Sequence, residues 1–240
     1  MSRIYDGKLL WHLGLKRASD KAFRGSVTGI AGESGSGKTT LARIMSGLLQ
    51  PSTGYVAFDG IRVDTLNKAA ERRLRRQLRY VHQDPAAALD PRLVVLDEPS
   101  AGLDLLVRAS LLTLLDDLRA RLGLTHVIVT HDFSVVDALR DEVAVTYRGR
   151  VVEHGATREV LDRPAHPYTR ELMASLPRLD GPRVIDAIAL RVRDDISGWS
   201  PTACAFLSRC PMALQVCAAA RPRQERRRDR ATACWNQTPE

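Results

Sequence analysis

Ser26-Val27-Thr28-Gly29-Ile30-Ala31-Gly32-Glu33-Ser34-Gly35-Ser36-Gly37-Lys38-Thr39 is the stretch whose reading decides the fold. Its opening part, Ser26–Ala31, is charge-free and reads as a buried strand. Gly32–Thr39 then fits G-x-x-x-x-G-K-[ST] without a mismatch. Thr39–Leu49 follows with Leu41, Ile44, Met45 and Leu48 at helical spacing. Strand, glycine-rich turn and helix in direct succession are what a phosphate loop needs. The glycines let the backbone curl until successive N–H groups converge on one anion, and the helix start adds the positive end of its dipole. Gly32, Glu33, Ser34, Gly35, Ser36, Gly37, Lys38, Thr39 and Thr40 are therefore expected to line a nucleotide phosphate site. Lys38 would bring a point charge to the β- and γ-phosphates, and the Thr39 hydroxyl would ligate Mg²⁺.

Working outward, strands and helices alternate. Pro51 and Gly54 end the first helix, and Tyr55–Val63, with Asp59-Gly60 inside it, reads as a β-hairpin. Ala69–Leu78 reads as a helix, Tyr80–His82 as a short strand and Leu93–Leu96 as an apolar strand running into Asp97-Glu98-Pro99. Leu105–Leu122 reads as an amphipathic helix, His126–Thr130 as a strand, and a helix near Ser134–Leu139 precedes strands at Glu142–Tyr147 and Arg150–Glu153. That order predicts a largely parallel α/β sheet. Asp97 is placed to hold Mg²⁺ and Glu98 to polarise a water for attack on a γ-phosphate. Asn67-Lys68-Ala69-Ala70 lacks the Asp of N-K-x-D, so a guanine-specific site is not expected.

Composition limits the remaining classes. In 240 residues, hydrophobics at 44% and charged residues at 27% exclude a disordered or fibrous chain. Aromatics make up only 5%, so the core must rest on aliphatic side chains. The net charge of +8 sits in two segments, Glu71–Arg79 and Arg221–Arg230, each +4, with the rest neutral on balance. A nucleic-acid partner is therefore not expected. Arg72, Arg75, Arg76 and Arg79 share one helix side and read as a solvated face. The N-terminus lacks a signal-peptide pattern and no run is long enough to span a membrane, which leads to the expectation of a cytoplasmic protein. All four cysteines follow residue 200, a clustering that in a reducing compartment points to metal or cluster ligation more than to disulfides.

Here the sequence resembles a known family. Asp97-Glu98-Pro99-Ser100-Ala101-Gly102-Leu103-Asp104 is similar to the Walker B and D-loop run of ATP-binding-cassette (ABC) ATPases, Val81-His82-Gln83-Asp84-Pro85 to their Q-loop, and Val129-Thr130-His131-Asp132 to their switch histidine. The resemblance implies an α/β P-loop NTPase fold of the ABC type with a small β-hairpin subdomain. It implies that Gln83 touches Mg²⁺ and the attacking water and reports to a transmembrane partner. His131 would contact the γ-phosphate, and Asp104 would help couple two ATP sites across a dimer. Arg163-Pro164-Ala165-His166-Pro167-Tyr168-Thr169 resembles the H-P-Y-T segment of dipeptide and oligopeptide importer ATPases. Cys204, Cys210, Cys217 and Cys234 resemble the cysteine-rich extension of that subfamily, and four thiolates suit a [4Fe–4S] cluster or zinc, with free thiols as the third reading. The implied division is residues 1–176 as ATP-binding domain and 177–240 as extension. The implied partners are a second ABC ATPase subunit, permease subunits and, indirectly, an extracytoplasmic substrate-binding protein, at the inner face of the plasma membrane. A catalytically silent ATP-binding subunit and a non-transport ATPase acting on nucleic acid are the alternatives.

The family pattern breaks in one place. ABC ATPases carry a helical subdomain ending in L-S-G-G-Q between Q-loop and Walker B; here 13 residues separate Gln83 from Asp97, and no such run occurs in the chain. The nine residues Asp84–Arg92 reach about 30 Å when extended, and about 17 Å suffices to start a parallel neighbour strand of five residues. The sheet is expected to close without room for a crossover helix. In the family, each ATP lies between the phosphate loop of one subunit and the signature of the other. A homodimer of this chain is thus expected to bind ATP and hydrolyse it poorly. Tyr5 and Trp11 are the candidates for stacking on adenine.

Overall fold

The computed structural model describes residues 2–5, 8–11, 20–23, 25–51, 55–58, 61–81, 92–138, 141–175 and 202–237. Chain order is β1 (Ser2–Tyr5), β2 (Lys8–Trp11), β3 (Asp20–Phe23), β4 (Val27–Ala31), α1 (Lys38–Met45), β5 (Ala57–Phe58), β6 (Ile61–Arg62), α2 (Lys68–Gln77), β7 (Leu78–Val81) and β8 (Leu93–Asp97). It continues with α3 (Leu105–Leu122), β9 (Thr125–Thr130), α4 (Phe133–Ala138), β10 (Glu142–Tyr147), β11 (Arg150–Ala156), α5 (Thr157–Asp162), α6 (Pro167–Ala174), α7 (Gln215–Ala219), β12 (Glu225–Arg227) and β13 (Arg230–Thr232). Gln83, Tyr80–His82 beyond Val81, the division near 176 and the bulk of 177–201 lie wholly or partly outside the described residues, as do the side chains of Tyr5 and Trp11.

The main sheet runs β12-β13-β11-β10-β4-β9-β8-β7. β10, β4, β9, β8 and β7 are mutually parallel, and β11, β13 and β12 add antiparallel strands at one edge. The largely parallel sheet expected from the sequence is present. β7 pairs directly with β8, from Leu78↔Leu93 to Val81↔Leu96, so the short connection does let the sheet close. The edge strand β12 is Glu-Arg-Arg, a charged sequence that discourages further strand pairing.

Period-two alternation splits the core across the sheet. Leu93 and Val95 of β8 and Val127 and Val129 of β9 pack with Leu41, Ala42 and Met45 of α1 and with Phe58. Val94 and Leu96 of β8, and Ile128 of β9, face the other way, against Leu115 of α3. A third cluster joins Val143, Val145 and Tyr147 of β10 to Phe133, Val160, Tyr168, Leu172 and Phe206. Phe206 is 1% exposed, so the segment after residue 202 contributes to the core of the nucleotide-binding fold.

Two expectations change. The first helix ends at Met45, short of Leu49, because Gly47 takes φ 69° and closes a Schellman motif in which Leu48 N–H bonds Arg43 O and Gly47 N–H bonds Ile44 O. Leu48 is consequently half exposed and no part of the helix's apolar face. In α3, Leu105, Leu106 and Leu114 face solvent and only Leu115 is fully buried, so that helix is less amphipathic than its composition suggested.

Candidate functional site

β4, β8 and β9 all end at the same edge of the parallel strands, and each hands its chain directly to a residue named in the sequence reading. Gly32 follows β4, Asp97 and Glu98 close β8, and His131 follows β9. Carboxyl ends of parallel strands are where α/β sheets present ligand sites.

The phosphate loop is tightly shaped. A Cβ on Gly32 would lie 2.2 Å from the Thr146 carbonyl oxygen, so no side chain fits there. Gly37 takes φ 95° at the start of α1, a conformation that favours glycine. Ser36 Oγ meets Thr146 Oγ1 at 3.0 Å, Thr146 Oγ1 donates to Ala31 O, and Gly149 N–H donates to Ser36 O at 2.7 Å. The β10–β11 hairpin thus braces the loop: a register shift between Val145 and Thr146 re-aims Thr146, and Arg148 and Gly149 take the positive φ of a type I′ turn. Lys38 is buried, and Nζ donates to Gly32 O at 2.8 Å and Glu33 O at 2.9 Å, placing the ammonium inside the loop's curl. Burial lowers its pKa, opposed by the charges of Glu98, Asp97 and Glu33. Ser34, Gly35 and Thr40 are exposed.

Thr39 Oγ1 donates to Asp97 Oδ1 at 3.2 Å, and Tyr80 OH donates to Asp97 Oδ2 at 2.7 Å. Burial raises the Tyr80 pKa, and the bond to Asp97 raises it further. Asp97 is 2% exposed; a hydroxyl beside a buried carboxylate is a hard-oxygen donor set that fits Mg²⁺. Glu98 takes φ 51°, and its N–H bonds Val129 O. Its carboxylate accepts from His131 Nδ1 at 2.9 Å and from His131 N at 3.4 Å. Asp132 accepts from Ser134 N–H and Oγ and pairs with Arg108 of α3, which fixes the chain just after His131. Asp104 caps α3 by accepting from Val107 N–H.

The structure therefore brings Lys38, Thr39, Asp97, Glu98 and His131 to one edge. Tyr80, Thr146 and Gly149 also belong there, and nothing in their local sequence marks them. Glu33 differs from expectation: its N–H donates to Tyr168 OH, so that amide is turned away from the loop's interior. The cysteines form a separate group in the C-terminal segment. All four are free, and among the described residues no three metal-binding side chains are placed to hold an ion. Cys204 and Cys217 meet through backbone, Cys204 N–H to Cys217 O at 2.8 Å. Burial raises the pKa of Cys204 and Cys210, and that of Cys234 to about 11, and neighbouring cysteines push each of the three in the same direction, so the four thiols lie within electrostatic reach of one another. Among the described residues no helix is long and apolar enough to cross a membrane.

The sheet order and the loop between β4 and α1 define a nucleotide-binding α/β fold of the phosphate-loop class. The chain belongs to the ABC transporter ATP-binding family, an ATPase family: the family model described as ABC transporter matches residues 15–154. A second model, oligopeptide/dipeptide transporter C-terminal region, matches residues 152–217. A putative peptide import ATP-binding protein of Brucella ovis is 32% identical over 265 positions, covering 83% of this chain and 84% of the relative. The probable D,D-dipeptide transport ATP-binding protein DdpF of Escherichia coli is 34% identical over 267 positions, covering 88% and 86%. Both aligned spans exceed the 240 residues of this chain, so the relatives carry positions it lacks. In fold, the chain is similar to cbiO1 of Clostridium perfringens at TM-score 0.56, 24% identity, covering 67% of this chain and 90% of the other. It is also similar to a dimeric ATP-binding cassette bound to ADP and Pi at TM-score 0.55, 19% identity, covering 66% and 99%.

Proposed function

We propose that the chain is the ATP-binding subunit of a di- or oligopeptide importer, and that it binds MgATP at the Gly32–Thr40 loop. The observation that carries this reading is the convergence of Lys38, the Thr39–Asp97 pair and the Glu98–His131 pair at one sheet edge. The H-P-Y-T segment, the match to the oligopeptide/dipeptide transporter region and the names of the peptide-import relatives support the substrate class.

The chain's own groups divide the chemistry. Lys38 and the loop amides of Gly35–Lys38 hold the β- and γ-phosphates, and the α1 dipole favours the same negative charge. Thr39 and Asp97 would hold Mg²⁺, which neutralises phosphate charge when bound; Gln83 is assigned to the same ion and to the attacking water. Water oxygen attacks the γ-phosphorus as the bond to the β-phosphate oxygen breaks, giving ADP and phosphate, and Glu98 takes up the water proton. The carboxylate can only accept, so its bond to His131 Nδ1 places a donor proton there and keeps base and switch residue at one point. Residues 1–176 form the nucleotide unit and 177–240 the extension. The partners are a second, signature-bearing ATPase subunit and permease subunits, which hold the chain at the inner membrane face.

Binding of a fluorescent MgATP analogue tests the reading. The full chain is expected to bind it, and Lys38→Ala to weaken binding at least about 100-fold through loss of a charge-assisted phosphate contact. Equal binding by both proteins would overturn it.

A further inference from the structure

Glu33, the second residue of the phosphate loop, has all its polar groups engaged. Its carbonyl accepts from Ser36 N–H at 3.1 Å and from Lys38 Nζ at 2.9 Å, both within the loop. Its other two groups are held from the far end of the chain. The N–H donates to Tyr168 OH at 3.0 Å, and the carboxylate takes a two-pronged contact from Arg209, 2.9 Å for each prong and 176 positions away.

Arg209 is itself fixed in place. It also pairs with Glu171 of α6, and its guanidinium carbon lies 5.7–5.9 Å from the ring centres of Phe206, Tyr147 and Tyr168. Its backbone N–H bonds Phe206 O, and Phe206 is buried. Two carboxylates raise its pKa further, against the effect of burial, with the Glu33 bonds the largest cause. A planar fork that meets a carboxylate in two parallel bonds fixes orientation as well as charge, which a lysine would not do. The side chains of Glu33, Arg209 and Glu171 are 39%, 27% and 15% exposed, so this is a partly screened network and more than an isolated surface pair.

We propose that Arg209 and Tyr168 are positioning residues for the phosphate loop, and that the C-terminal region sets nucleotide affinity by fixing Glu33. The proposal rests on the loop being the nucleotide site. Neither residue touches phosphate: Tyr168 holds the Glu33 amide outward, Arg209 holds the carboxylate, and the remaining loop amides are left curled around the Lys38 ammonium. The C-terminal region is thereby part of the ATP site, and a rearrangement of residues 202–210 reaches the loop through Arg209 and through Phe206 packed on Tyr168.

Full-length Arg209→Ala, Arg209→Lys, Glu33→Gln and their combination test this with two readouts. Affinity for a fluorescent MgATP analogue should fall about tenfold in Arg209→Ala and in Glu33→Gln, with Arg209→Lys also weakened because it keeps the charge without the fork. The double variant should be no weaker than Arg209→Ala alone, since both substitutions remove one interaction. Amide hydrogen exchange without nucleotide should be faster across 32–38 in Arg209→Ala while exchange in β4 and β9 stays as in the parent. Parental affinity together with parental loop exchange in Arg209→Ala would overturn the proposal. So would faster exchange spread equally through the sheet, which marks a general loss of stability. Failure of the parent chain to bind the analogue would sink the nucleotide reading, and loop exchange would still decide whether the clamp exists.

Discussion

Glu98 holds a left-handed φ of 51°, a conformation that costs a residue with a Cβ about 1–3 kcal/mol, at the point where its carboxylate meets His131. That placement fits a group kept in position for proton transfer. Glu98→Gln should leave MgATP affinity within a few-fold of the parent and lower phosphate release by at least about 100-fold, measured beside a signature-bearing partner subunit. Gly32 is equally constrained for the opposite reason: the 2.2 Å gap to Thr146 O has no room for a methyl group, so Gly32→Ala should abolish analogue binding and lower the melting temperature. Two buried histidines shape the acid side of stability. Burial lowers His126 from 6.5 to about 4 and His166 to about 3, with Arg119 and Arg170 acting in the same direction. Both stay neutral in the folded chain and take up protons in the unfolded chain below pH 6.5, so their contribution is present above pH 6.5 and is lost as pH falls towards 4. The slope is up to about 1.4 kcal/mol per pH unit for each, and denaturant midpoints between pH 7 and 4.5 should show it, with a shallower fall in His126→Leu. The loop itself was legible because G-x-x-x-x-G-K-[ST] is a local code. Tyr80, Thr146 and Arg209 were not, because each reaches its partner across tertiary contacts that leave no local spacing to read.

Elements were legible where the signal was periodic and capped. α3 was read at Leu105–Leu122, as found, because Asp104 caps its start and Gly123, at φ 64°, closes its end. Asp104→Ala should cost about 1 kcal/mol by removing the bond to Val107 N–H, readable in a denaturant midpoint. α1 was read too long, since Ile44, Met45 and Leu48 kept the helical spacing while Gly47 had already turned the chain. In the sequence the segment after residue 202 stands out by its cysteines. In the structure it also packs through Phe206, whose ring lies 5.3 Å from that of Tyr147 and 5.5 Å from that of Tyr168. Phe206→Ala should therefore destabilise the nucleotide-binding fold itself by about 3–5 kcal/mol, as a buried aromatic truncation does, and shift a single melting transition.

At the scale of the molecule, the parallel sheet closes β7 onto β8 with only eleven residues between Val81 and Leu93. The Arg-rich α2 has no buried residue, and Arg75 pairs with Glu71 on its exposed face, so Arg72, Arg75 and Arg76 are a solvated surface; Arg79 departs from that helix face, because α2 ends at Gln77 and Arg79 lies partly buried in β7. The chain keeps Lys38, Thr39, Asp97, Glu98 and His131 at one sheet edge, and no L-S-G-G-Q run occurs in its sequence. On the reading proposed above, this set of residues is competent for ATP turnover but needs a signature from another subunit. Phosphate release from MgATP, measured for the purified chain alone and mixed with a signature-bearing ABC ATPase of the peptide-importer type whose own loop lysine is substituted, tests it most directly. Negligible release is expected from the chain alone, with release in the mixture that disappears with Lys38→Ala in this chain. Robust, Lys38-dependent turnover by the chain alone, or no release from the mixture, would contradict it.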